Sequence, residues 1–345
     1  MADATDRRRS RRFAAVLALA LFITFDLIMF GAFVRISDAG LGCPDWPGCY
    51  GKLSPAGAMK DIQAEASERP HGPVTVFKAW IEMLHRYAAS TLGLVIIWLA
   101  WSAWRQRSDP GRASFGLALF TLFWVILQGL FGMWTVTLRL QPAVVTAHLL
   151  GGMVLFALLL MQRNRTSHHP AVGAEAASYR GWGRAALALL FIQIALGGWV
   201  SSNYATLACQ DFPTCQGSWW PDMDIAAGFE IWRPLGMTAD GAGLPFPALT
   251  AIHYAHRLMA YLVLAACGLL AWRVRRVAGL ERVGLWLLLV LLAQLVTGLT
   301  NIFLGWPMAA AVLHTGGATA LVGGLLMLNF RSGAGGRLPL DPSGA

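Results

Sequence analysis

The chain has 345 residues, of which 56% are hydrophobic and 13% are charged, and its formal net charge is +9. This composition, with several apolar stretches of about 20 residues, excludes a soluble globular protein and indicates a polytopic membrane protein. The positive charge comes mostly from arginines that flank the apolar stretches, so it does not indicate nucleic-acid binding.

The first apolar stretch follows five arginines between positions 7 and 12. It lacks a small-residue cleavage site before its polar flank, so we interpret it as a retained span and not as a signal peptide. This span carries Asp26, for which the sequence suggests no role. The whole pattern predicts an all-α fold of eight membrane-spanning helices, at 13–34, 79–104, 114–136, 143–162, 184–202, 250–272, 283–303 and 307–328.

Arginines cluster on one side of the predicted helices. They occupy the N-terminal segment, the connections at 105–112, 163–184 and 273–282, and the segment after residue 328. Because cytoplasmic loops carry an excess of Lys and Arg, both termini are predicted to be cytoplasmic. The loops near 36–78 and 203–249 then lie outside a bacterial inner (plasma) membrane.

Each outer loop holds a cysteine pair with C-x5-C spacing, Cys43 with Cys49 and Cys209 with Cys215. An outward-facing compartment permits disulfides, so we expect each pair to close a small structural loop. A metal site or a strained, redox-active dithiol is the alternative. Neither loop offers further residues that complete a metal-ligand set, which favours the disulfides.

The cysteine pairs belong to an internal repeat. Cys43 and Cys209 lie 166 residues apart, whereas His85 and His256 lie 171 apart because the second outer loop is longer. An even number of spans in each half gives both halves the same orientation, so the repeat is parallel. The predicted organisation is a basic N-terminus (1–12), an N-terminal four-helix bundle (13–165), a linker (166–183), a C-terminal four-helix bundle (184–328) and a tail (329–345).

Four histidines lie inside the predicted spans at similar depth, His85 and His148 in the first half and His256 and His314 in the second. An ionisable residue within a membrane helix is costly, so a matched pair in each half suggests a cofactor. Two imidazoles from different helices of a bundle suit the two axial positions of a haem iron. A single histidine could instead make an interhelical hydrogen bond, and zinc or copper remains an alternative that lacks further ligands.

Of the charged or polar residues next to these histidines, one pair agrees between the halves and another differs. Arg86 and Arg257 follow the first histidine of each pair and could hold haem propionates or reach lipid headgroups. Glu82 stands three residues before His85, whereas His253 takes the corresponding position in the second half. Glu82 could move protons beside one tetrapyrrole, or it could simply form an ion pair near the membrane surface. The difference suggests that one half performs chemistry and the other carries electrons.

These residues resemble the haem A synthase family. The resemblance covers about residues 12 to 330 and rests on W-I-E-M-L-H-R-Y at 80–87, T-A-H at 146–148, I-H-Y-A-H-R-L at 252–258, V-L-H-T-G-G at 312–317 and the paired cysteines. It implies an oxidoreductase that oxidises the C8 methyl group of haem O to a formyl group, giving haem A for cytochrome oxidase.

The resemblance also implies a role for each histidine pair. His85 and His148 would bind the substrate haem O, with Glu82 as the catalytic carboxylate. His256 and His314 would ligate the iron of a permanent haem b that passes electrons. Membrane lipid, haem O synthase, an electron-transfer partner and further copies of the chain are the expected partners.

Two other classes of protein fit part of the pattern. A transmembrane electron carrier with two b-type haems would explain both histidine pairs without chemistry on the macrocycle. A transporter of haem or another small molecule would explain the tandem halves, but the sequence shows no broken-helix signal.

Overall fold

The structure is a computed structural model that describes residues 4–107, 114–167 and 169–334. Residues 335–345 of the predicted tail and part of the 105–112 connection lie outside the described residues. In the described part the secondary structure is helical, with isolated bridges but no strand. The α-helices are α1 (Ala4–Ile36), α2 (Met59–Glu68), α3 (Val76–Arg105), α4 (Phe115–Thr137), α5 (Pro142–Arg165), α6 (Arg180–Ser202), α7 (Ile225–Gly228), α8 (Phe246–Val274), α9 (Glu281–Phe303) and α10 (Met308–Ala334).

Among these described helices, eight are long and apolar enough to cross a membrane, all except α2 and α7. This confirms the predicted all-α fold with eight spans. One span, α3, begins earlier than its apolar stretch because a polar residue caps it. The Thr75 hydroxyl accepts a 3.2 Å hydrogen bond from the Lys78 N–H, so α3 starts one turn before the predicted span and Glu82 lies in its second turn.

The helix contacts are consistent with two tandem four-helix bundles. In the first half α1 packs on α3, α3 on α4, α4 on α5, and α5 back on α1; α6, α8, α9 and α10 repeat this ring. The halves meet through α1 and α5 on one side and α6 and α10 on the other. The short helices α2 and α7 also begin 166 residues apart, so the repeat extends into the loops.

The segments 37–75 and 203–245, here called the first and second cysteine loops, meet at the same end of the molecule. Arg35 Nη2 donates a 2.8 Å hydrogen bond to the Ser201 carbonyl, and the Tyr204 hydroxyl donates one of 2.8 Å to the Asp38 carboxylate. Each contact joins positions that are 166 residues apart. The two halves are therefore linked where their loops begin.

Both cysteine loops contain the predicted disulfides, Cys43–Cys49 and Cys209–Cys215. In the first loop Asp45 accepts hydrogen bonds from the N–H groups of Tyr50 (2.6 Å) and Gly51 (2.7 Å). Gly51 has a φ of +68°, a conformation that glycine adopts without strain. Asp211, Gln216 and Gly217 repeat the arrangement in the second loop.

Candidate functional site

A cavity of about 600 Å³ lies inside the helix assembly, and all four predicted histidines line it. His85 comes from α3, His148 from α5, His256 from α8 and His314 from α10. His85 and His148 are close enough to interact electrostatically, and so are His256 and His314. The structure thus brings each predicted pair together at one cavity.

Each of the four imidazoles packs against a glycine of a neighbouring helix. A Cβ added to Gly197 of α6 would lie 3.0 Å from the His256 ring, and one added to Gly31 of α1 would lie 3.4 Å from the His85 ring. Gly298 and Gly132 face His314 and His148 in the same way. A Cβ at Gly197 would be tighter than an ordinary contact with the His256 ring, whereas a Cβ at each of the other three would make an ordinary van der Waals contact. The four glycines therefore let the imidazoles pack directly against the neighbouring helix backbones.

In the first half, both imidazoles have free nitrogens. Within the described residues, neither His85 nor His148 makes a hydrogen bond, and Nδ1 of each is buried. Buried polar atoms in proteins normally have a partner. Two unpartnered imidazoles beside an apolar cavity therefore suit the iron of a tetrapyrrole.

In the second half, His314 has a supporting hydrogen bond. Its Nδ1 lies 2.9 Å from the Thr297 hydroxyl, and that hydroxyl donates to the Ala293 carbonyl at 2.8 Å. The hydroxyl oxygen is then the acceptor for Nδ1–H, which leaves the lone pair of Nε2 for a metal. His256 Nε2 accepts only a long 3.4 Å hydrogen bond from Gln193 Nε2, and its Nδ1 is unpartnered.

The donor set fits a haem better than a bare metal ion. No group of three or more His, Cys, Asp or Glu side chains with metal-site spacing occurs among the described residues. A haem brings four of its own nitrogen ligands, so two imidazoles complete its iron, whereas zinc would need further protein ligands.

Glu82 is buried, lines the cavity and is held by the first cysteine loop. Its Oε2 accepts a 2.9 Å hydrogen bond from the Cys43 N–H, and its Oε1 accepts one of 2.5 Å from Arg86 Nη2. The ion pair that the sequence suggests as an alternative role is therefore formed, with Arg86. The Glu82 carboxylate is thus paired with Arg86 and also faces the cavity, where it can contact a bound molecule.

Arg86 and Arg257 bind backbone carbonyls of the cysteine loops. Arg86 Nη1 donates to the carbonyls of Asp45 (2.9 Å) and Gly48 (2.6 Å). Arg257 Nη1 donates to those of Asp211 (2.8 Å) and Thr214 (2.6 Å), and its Nη2 donates to Cys209. The observed contacts show that both arginines anchor the loops. Both also line the cavity, and binding of haem propionates by them stays a prediction.

The second cysteine loop differs from the first beside the cavity. His253 stands where the first half has Glu82, and its Nδ1–H donates a 3.0 Å hydrogen bond to the Ala205 carbonyl. Asp211 lies outside the membrane spans, and the Thr214 hydroxyl, with the N–H groups of Gly217 and Gln216, holds its pKa at about 2. These hydrogen bonds anchor the second loop, but the helix position that corresponds to Glu82 carries His253 and not a carboxylate.

Sequence patterns alone did not indicate Thr297 or the glycines that face the imidazoles. Gly151 and Gly317, each three residues after His148 and His314, accommodate glutamine amides of the neighbouring helices. A Cβ on Gly151 would lie 1.8 Å from Gln128 Nε2, and one on Gly317 would lie 2.0 Å from Gln294 Nε2. The lack of a side chain at these two glycines therefore lets the glutamine amides of α4 and α9 pack against α5 and α10.

Fold and site together define an eight-helix membrane protein with paired histidines around an apolar cavity. The model of one family, described as COX15-CtaA, cytochrome oxidase assembly protein, matches residues 14–326. The chain belongs to this family.

Curated relatives match over most of their length. A protein named heme A synthase from Shewanella oneidensis is 37% identical over 318 residues, which is 91% of this chain and 95% of the relative. Proteins of the same name from Caulobacter vibrioides and Halalkalibacterium halodurans are 27% and 26% identical, over 91% and 84% of this chain and 94% and 86% of the relatives.

Proposed function

We propose that this protein is a haem A synthase, an oxidoreductase that converts the C8 methyl group of haem O to the formyl group of haem A. Family membership and the shared name of the relatives support this activity. The observation that carries the assignment of residues is the buried Glu82, which lines the cavity beside His85 in the first half and has no carboxylate counterpart in the second.

The first half is our candidate for the substrate site. His85 and His148, both without hydrogen bonds among the described residues, would bind haem O. Glu82 would accept or deliver protons at the edge of the macrocycle, while Arg86 and the Cys43 N–H hold its two oxygens. An apolar cavity within a membrane bundle also spares the farnesyl-derived tail of haem O from water.

The second half is our candidate for a resident haem b, held by His256 and His314. The hydrogen bond between Thr297 and His314 supports a permanent ligand, because such a partner fixes the tautomer and orientation of a metal-binding imidazole. Phe131 takes the position of Thr297 in the first half, so His148 lacks this support. When bound, haem b would supply electron transfer.

We further propose that the protein lies in a bacterial inner membrane with both termini cytoplasmic and the cysteine loops outside. The arginine distribution supports this orientation. Haem O synthase and an electron-transfer protein are the proposed partners, because the substrate is insoluble in water and each oxidation of the methyl group moves electrons.

The function is tested by expressing the chain in cells that make haem O and extracting the pigments. We expect haem A to appear, to vanish in Glu82→Gln and to persist in the matched control Glu68→Gln, which alters an exposed carboxylate of the first cysteine loop. Unchanged haem O together with full b-type absorbance in the wild type would instead favour the electron carrier with two b-type haems.

A further inference from the structure

The cavity reaches the lipid-facing surface of the first half between α3 and α4. Ala89 and Ser90 of α3 and Gly129 of α4 line the cavity and are also exposed. Ser90 lies five residues beyond His85, about 7.5 Å further along the helix from the first cysteine loop. Gly129 lies about 12 Å from the end of α4 at Thr137. Both positions are therefore at the depth of the hydrocarbon core.

Small residues leave space at this point. A Cβ added to Gly129, or to Gly93 about one turn beyond Ser90, would meet no neighbouring group of the described residues within 4 Å. The Ser90 hydroxyl donates a 2.9 Å hydrogen bond to the Arg86 carbonyl of its own helix, so it does not reach across to α4. Ser90, Gly93 and Gly129 are here called the first seam.

The internal repeat carries larger side chains at the same positions of the second half. Offsets of 171 residues in α8 and 166 in α9 place Tyr261, Leu264 and Leu295 there. These three residues, the second seam, all line the cavity. The Tyr261 ring also packs against the second cysteine loop, with 6.3 Å between its centroid and that of the Phe212 ring. The halves thus agree in their histidines but differ in the space beside them.

The two tetrapyrroles of the proposed function differ in a matching way, because haem O carries a long farnesyl-derived tail and haem b carries none. The end of the cavity near the cysteine loops is lined by Arg35, Arg86 and Arg257, which does not favour an apolar chain. The first seam lies at the depth of hydrocarbon, which does. An apolar tail would therefore leave the site on the side of the seam.

We propose that the side chains of the two seams determine which half accepts a tetrapyrrole with a tail. In the first half, the tail of haem O passes through the first seam into the lipid. In the second half, the larger side chains of the second seam fill the equivalent space and select a tetrapyrrole without a tail. This inference rests on the proposed assignment of haem O to the first half, and it names the residues that distinguish the two ligands.

The first test measures binding by the first half alone. The full-length chain, with both second-half histidines replaced by alanine, is titrated in detergent with haem O and with haem b, and Soret absorbance reports binding. Ser90→Tyr/Gly93→Leu/Gly129→Leu should weaken binding of haem O about tenfold or more, because the added side chains crowd the tail, and should leave haem b binding unchanged. Gly116→Leu, at an exposed glycine of α4 that does not line the cavity, should bind both haems like the parent. Equal weakening of both haems, or unchanged binding of haem O, would overturn the proposal.

The second test looks for a gain of binding, which a folding defect cannot produce. With both first-half histidines replaced by alanine, the chain from cells that make haem O and haem b should yield haem b alone on extraction. Tyr261→Ser/Leu264→Gly/Leu295→Gly in this background should yield haem O as well. Haem b without haem O, both in this variant and in Tyr261→Ser alone, would contradict the role of the second seam.

The outcomes also separate this inference from the proposed function. Formation of haem A at the wild-type yield in the variant with an enlarged first seam would overturn the inference and leave the synthase activity intact. Selective loss of haem O binding in that variant, combined with no haem A from the wild type, would support the inference and contradict the activity.

Discussion

Arg86 donates a 2.5 Å hydrogen bond to the carboxylate of Glu82, one turn earlier on the same helix, while its other terminal nitrogen binds carbonyls of the first cysteine loop. Both side chains are nearly enclosed, with 12% and 5% of their surfaces exposed. The guanidinium therefore neutralises a buried carboxylate and anchors a loop at once. Arg257 anchors the second loop in the same way, but it forms no salt bridge with a carboxylate of the described residues.

We expect Arg86→Gln to destabilise the protein more than Arg257→Gln. Both variants lose hydrogen bonds to loop carbonyls, but only Arg86→Gln leaves a buried carboxylate unpaired, at an additional cost of about 3 kcal/mol. Addition of Glu82→Gln to Arg86→Gln should recover most of this difference. Denaturant unfolding in detergent, followed by tryptophan fluorescence, measures the free energy of unfolding. Equal costs for the two arginine variants, without recovery in the double variant, would contradict the proposed charge pairing.

The two disulfides should differ in their effect on activity. Replacement of either cysteine pair by serines removes a short cross-link, for which we expect a loss of about 2 kcal/mol in each case. Only the Cys43–Cys49 loop also donates a backbone N–H to Glu82. Haem A formation should therefore fall in Cys43→Ser/Cys49→Ser by more than the loss of folded protein explains.

The control for this prediction is Cys209→Ser/Cys215→Ser, because its loop has no contact with a carboxylate at the position of Glu82. Its yield of haem A per folded molecule should remain near that of the wild type. Equal losses in both variants would mean that the first disulfide does not act through Glu82.

The spans and the disulfide pairs could be predicted from the sequence because each depends on local signals. Hydropathy shows a span within about 20 residues. In each C-x5-C segment the two cysteines that form the disulfide are close together in the sequence. The grouping of His85 with His148 followed from their similar depth in their predicted spans, which His256 and His314 repeat in the second half.

Contacts between distant segments could not be predicted in this way. Arg86 binds backbone carbonyls about 40 positions away. Every residue has such a carbonyl, so the residue type does not indicate which one accepts the hydrogen bond. Gly31 and Gly197 are equivalent in the repeat, but only the register of α1 against α3 determines that Gly31 faces His85. Such packing depends on helix orientation, which the repeat arithmetic does not contain.

Single histidine variants should separate the two halves. We expect His256→Ala to lose the resident haem b, measured as the b-type pyridine haemochrome per folded protein from cells that make no haem O. His85→Ala should retain that haem and fail to convert haem O when it is supplied. If His85→Ala instead lost the resident haem and His256→Ala kept it, the roles of the two halves would be reversed.

Thr297 tests the same assignment without removal of a ligand. Thr297→Val keeps the shape of the side chain but removes the oxygen that accepts the His314 Nδ1–H, 2.9 Å away. Loss of such a supporting hydrogen bond weakens metal binding by about tenfold or more, so haem b should dissociate more readily and its absorption spectrum should shift. The matched control is Thr300→Val on the same helix, whose hydroxyl bonds only to the Val296 carbonyl. The measurement is the rate of haem release from each variant in detergent. Equal retention of haem b in Thr297→Val and Thr300→Val would show that the Thr297 hydroxyl does not support a ligand.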